Sequence, residues 1–84
     1  MLVGTTPVEE NINGSDGALF AVSAKQGDIT IELDEDGKGY EEAEDSPLLA
    51  GTTRVLLVNS TAKYCPIRLT SSVDGAECII NPIK

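Results

Sequence analysis

Ile29, Ile31 and Leu33 alternate with Thr30 and Glu32. An apolar side chain at every second position is the pattern of a strand with one buried face. No stretch of twelve residues carries the apolar spacing of an amphipathic helix. The remaining apolar segments are of strand length and lie between glycine, proline and asparagine turns. They are Ala18 to Ala24, Thr52 to Ser60, Tyr64 to Thr70 and Ala76 to Asn81. Lys25-Gln26-Gly27 fits a hairpin connection, and Val73-Asp74-Gly75 fits a second turn. Thr52 to Ser60 is the most apolar segment and reads as a central strand. Pro66 cannot donate to a ladder, so Tyr64 to Thr70 reads as an edge or bulged strand. The pattern predicts an all-β fold, a small antiparallel β-sandwich or barrel.

Eighty-four residues make one domain. The division expected is an extended N-terminal arm over 1–16 and a single small β domain over 17–84. Residues 1–16 show neither period and contain Pro7, Asn13-Gly14 and Asp16-Gly17, which are loop and turn signals. An arm of this kind orders against a neighbour, so Val3, Thr5, Thr6, Pro7 and Val8 are candidate partner contacts. The first six residues lack the basic start and apolar run of a secretion signal. No apolar stretch is long enough to cross a bilayer. The expectation is a soluble chain made in the cytoplasm. Asn13-Gly14-Ser15 and Asn59-Ser60-Thr61 match the glycosylation pattern but would not meet that enzyme there.

Fourteen acidic against six basic residues give a net charge of −8. That excess repels phosphate backbones and anionic lipid, so neither nucleic acid nor a membrane is an expected partner. The charge concentrates in Asp34 to Asp45. Asp34, Asp36, Gly39 and Asp45 resemble positions 1, 3, 6 and 12 of the EF-hand calcium loop. Lys38 stands where position 5 needs an oxygen, Glu41 where position 8 is apolar, and Asp45 is shorter than the usual glutamate. Calcium binding through Asp34, Asp36 and Asp45 is therefore an alternative, not the main expectation. The main one is a mobile solvated loop closing a hairpin. A turn on Asp36-Gly37 would set Leu33 opposite Tyr40, whereas a three- or five-residue loop sets Ile31 opposite Ala43. The other alternative is an acidic loop that docks on, or inhibits, a basic partner.

Chemistry is sparse. Without histidine there is no imidazole base for a serine or cysteine nucleophile. The carboxylates crowd one loop instead of occupying two different environments. The expectation is no enzyme and no cofactor. Cys65 and Cys78 read as reduced core residues, with a disulfide left open. Two thiols without histidine do not make a zinc site.

The arm before Gly17, the Gly/Thr/Ser-punctuated strands from Ala18 onward and the closing AECIINPIK segment are similar in type to small virion proteins of tailed bacteriophages. The resemblance is to capsid decoration or cement proteins. It implies a non-enzymatic structural protein on the capsid exterior, often a trimer, that binds and stabilises major capsid proteins. It would be synthesised in the host cytoplasm. A marginal small core also favours stabilisation by association.

Overall fold

A computed structural model describes residues 1–13, 17–44 and 46–83. Eight strands run through them: β1 (Leu2–Val3), β2 (Val8–Asn13), β3 (Ala18–Ala24), β4 (Ile29–Leu33), β5 (Glu41–Glu42), β6 (Thr53–Val58), β7 (Tyr64–Ser71) and β8 (Ala76–Pro82). They form two four-stranded antiparallel sheets packed as a small β-sandwich. The first has the order β1-β8-β3-β6 and the second β2-β7-β4-β5.

The period-two segments bury the side the sequence marks. Phe20, Val22 and Ala24 face inward from β3, and Ile29, Ile31 and Leu33 from β4. Cys65, Ile67 and Leu69 of β7 complete the second sheet's inner face, and Ala76 and Cys78 of β8 the first's. Leu48 adds a bridge to Ile29, with reciprocal backbone hydrogen bonds of 2.7 and 2.8 Å.

The chain changes sheet at almost every connection. Only β4 and β5 are consecutive and paired with each other. Lys25-Gln26-Gly27 therefore carries the chain from one sheet to the other and is not a hairpin turn. The same holds for Val73-Asp74-Gly75. Gly27 is buried at its crossing, where a Cβ would lie 2.6 Å from Ser71 Oγ and 2.8 Å from Val73 Cγ2. Gly27→Ala should cost about 1–3 kcal/mol through this overpacking, read as a lower urea midpoint at unchanged slope.

Three expectations are corrected. First, residues 1–13 are not an arm apart from the body. Val3 is fully buried and pairs with Ala76, and β2 pairs with β7 from Val8 to Asn13. Val8, Glu10 and Ile12 share the inner side of β2 by register. Glu10 interrupts their apolar pattern and stays exposed, because the sandwich opens there into a cleft of about 610 Å³. Residues 14–16, the rest of the expected arm, lie outside the described residues.

Second, β6 is an edge strand, not a central one. Third, β7 is central, between β2 and β4. Pro66 fits there because its carbonyl takes the Asp34 N–H at 3.0 Å, just past the last β4 residue. A residue in an antiparallel strand turns both backbone groups to one side. The missing N–H thus falls where the β4 ladder has ended.

Candidate functional site

The acidic hairpin comes first. Leu33 pairs with Glu41, and the Ala43 N–H reaches the Ile31 carbonyl at 2.8 Å. This is the register of the longer loop, with Ile31 facing Ala43. Hydrogen bonds to backbone shape the loop. Asp34 Oδ1 accepts the Gly37 N–H at 2.8 Å, and Asp36 Oδ1 accepts the Lys38 N–H at 2.9 Å. The Glu35 carboxylate takes the Asn59 N–H at 2.6 Å, and its carbonyl takes the Thr61 N–H at 2.9 Å. Among the described residues no cluster of three acidic or sulfur side chains could hold a metal. Asp34 and Asp36 are engaged with backbone, and Asp45 lies outside the described residues.

Cys65 and Cys78 are both free and fully buried, on strands of different sheets. Burial raises the pKa of each thiol; at Cys65 the Glu35 charge adds to this. Labelling by a thiol reagent should run about a hundredfold slower in the folded protein than in urea. Comparable rates in the two states would contradict the burial.

The contacts expected of the N-terminal segment separate. Val3 is enclosed in the core and can touch no partner. Val8 is half-buried on β2. Thr5 is held by Asp74, whose Oδ1 accepts the Thr5 N–H at 2.9 Å and its hydroxyl at 3.0 Å. Those two bonds keep the Asp74 carboxyl below its usual range. Thr6 and Pro7 are exposed.

The two outer faces of the sandwich differ sharply. On the second sheet the outward positions are polar: Glu9, Asn11, Thr30, Glu32, Arg68 and Thr70, with Tyr64 and Pro66 among them. Arg68 forks onto Glu32 with two bonds of 3.0 Å and lies 4.2 Å from the Tyr40 ring centre. The Arg68 hydrogen bond holds the Glu32 carboxyl below its ordinary range.

The first sheet's outer face is apolar along one side. Leu57 pairs with Leu19, and Ile83, just past β8, donates its N–H to the Leu19 carbonyl at 2.9 Å. The next row is Val55, Ala21 and Asn81, and the third Thr53, Ser23 and Ile79. Val55, Leu57 and Ile83 are 53, 59 and 54 % exposed. Among the described residues, the charged side chains that the register puts on this face are Glu77 and, just past β3, Lys25, both at its far end. Single exposed apolar residues are ordinary on a protein surface, but a contiguous patch marks an interaction site.

That patch borders a free sheet edge. The Ala24 N–H reaches the Thr52 carbonyl at 3.0 Å, which fixes the phase of β6. Arg54, Leu56 and Val58 turn their backbone groups toward β3. Thr53, Val55 and Leu57 turn theirs outward, to no strand among the described residues. Beneath this edge runs a groove of about 230 Å³, lined by Leu33 and Leu56 and rimmed by Glu35, Glu41, Glu42 and Glu44.

Sequence reasoning missed Val55, Leu57, Leu19 and Ile83. The run Val55-Leu56-Leu57-Val58 is apolar at every position, so nothing in it tells which face stays outside. Arg54 was the available hint, since a charged residue suits an edge better than a sheet centre.

No family model, no curated protein and no solved structure matches this chain.

Proposed function

We propose that this chain is a non-enzymatic structural protein of a phage virion, which decorates the capsid by binding its major capsid proteins. The observation carrying this reading is the apolar outer face of the first sheet beside a free edge, opposite a polar face suited to solvent. A protein that lies on a shell needs such a two-sided character. Its contact face removes apolar surface from water, and its other face keeps the particle soluble. The small core gains from being fastened, because binding to the folded form alone adds to its stability. Repetition on a symmetric lattice makes modest single contacts sufficient, since attached copies raise each other's effective concentration.

Gradient-purified particles test the reading. The expected result is this chain in many copies per particle, at a fixed ratio to the major capsid protein. Particles carrying only traces of it would overturn the proposal.

A further inference from the structure

We infer that the β6 edge is a strand-addition site for an extended partner segment in which apolar residues alternate with lysine or arginine. The inference rests on the attachment reading above and specifies the partner's chemistry.

Backbone geometry supplies the first half. Thr53, Val55 and Leu57 direct N–H and carbonyl groups to an open edge, and an added antiparallel strand completes that ladder. Just past the end of this edge the Asn59 N–H is taken by a side chain, the Glu35 carboxylate, at 2.6 Å. The stretch from Thr53 to Leu57 lies beyond that contact.

Side-chain alternation supplies the second half. An added strand presents successive side chains to opposite faces of the first sheet. Those on the outer face continue the rows of Val55 and Leu57, so they are apolar. Those on the inner side descend into the groove between β6 and β5. There the rim offers Glu41 and Glu44; the Glu35 carboxylate is taken by the Asn59 N–H, and Glu42 turns outward opposite Glu32 and accepts the Ser46 hydroxyl. Glu41 faces that side by register, opposite the inward-facing Leu33. Basic side chains with long apolar stems fit this lining, the stems against Leu33 and Leu56 and the charges at the rim.

A second copy of this chain fits less well. Two β6 strands related by a two-fold axis normal to the sheet would set both acidic rims side by side. Each copy has a net charge of −8 and would offer only Arg54 in return. Like charges so placed oppose association.

The test uses three capped heptapeptides and the full chain labelled with nitrogen-15. One alternates lysine with valine, one glutamate with valine, and one lysine with serine. The lysine–valine peptide should bind one to one and slow hydrogen exchange at the Val55 and Leu57 amides. Its affinity should fall about tenfold as salt rises from about 0.01 M to about 0.15 M, as the screening length drops from about 30 Å to about 8 Å. The other two peptides should bind at least about tenfold more weakly, lacking the charge or the apolar row. Val55→Pro, which removes one outward N–H, should lose the binding, as should Glu41→Lys with Glu44→Lys, which leaves the ladder intact. Equal binding by the glutamate peptide, or no protection on β6, would overturn the inference. Particle attachment is read separately on the same variants. A folded Val55→Pro chain that still decorates particles would overturn strand addition as the means of attachment while leaving the attachment reading standing.

Discussion

Ile67→Ala should lower the unfolding free energy by about 3 kcal/mol, within the range for deleting a buried aliphatic side chain. Ile67 is fully buried in β7, one of the two strands with neighbours on both sides in the second sheet. It pairs with Leu33 on one side and Glu10 on the other, and the first sheet covers it from above. The surrounding ladders restrict collapse around the lost atoms, so the cavity remains. A domain of this size holds about 4–13 kcal/mol in all, taking the usual stability per residue. The substitution thus removes a large share of it. Urea unfolding of the two proteins checks the value, with the midpoint lowered and the slope unchanged. A loss under about 0.5 kcal/mol, typical of surface changes, would contradict the assigned core.

Val55→Lys combined with Leu57→Lys should reduce attachment to particles about thirtyfold and leave the fold in place. Each of these side chains is slightly more than half exposed in the free chain. Burying the exposed part on a partner recovers about half of a full aliphatic transfer, about 1 kcal/mol per residue. Two residues give about 2 kcal/mol, or about a thirtyfold change in the equilibrium constant. Stability should move by less than about 0.5 kcal/mol, since neither side chain fills the core and lysine is common on natural edge strands. The matching control is Thr30→Lys with Thr70→Lys on the outer face of the second sheet, for which attachment should not change.

These expectations divide by what a single sequence can carry. Strand position was legible wherever alternation was clean. Asp28 to Leu33 became β4 at Ile29–Leu33, and Ala18 to Ala24, legible from its apolar content and length instead, became β3 at the same residues. Inward and outward sets along β4 and β7 followed the period of two. Partnership was not legible, because strand order depends on which side of the sandwich each connection crosses. Lys25-Gln26-Gly27 has turn chemistry whether it closes a hairpin or passes between sheets. For that reason β6 and β7 exchanged their expected edge and centre places. The N-terminal strands stayed hidden for a different reason. β1 is two residues long, and β2 puts Glu10 at an inward position beside an open cleft.

The site was legible in part. The charge of Asp34 to Asp45 stood out, yet its resemblance to a calcium loop concealed its geometry. The Asp34 and Asp36 carboxylates turn back to backbone amides within the loop, while Glu41 and Glu44 rim the groove beside β6. The apolar outer face required the pairing of β3 with β6 and β8, which brings Leu19, Leu57 and Ile83 into one row. Their sequence separation gives no hint of it.

The most direct measurement is the number of copies of this chain held by purified particles as its free concentration is raised to saturation, for the native chain and for Val55→Lys with Leu57→Lys. The account predicts a fixed stoichiometry for the native chain and a half-saturation concentration about thirtyfold higher for the folded variant, in line with about 2 kcal/mol of lost contact. Equal half-saturation concentrations for the two, or no binding by the native chain, would contradict attachment through the first sheet's outer face.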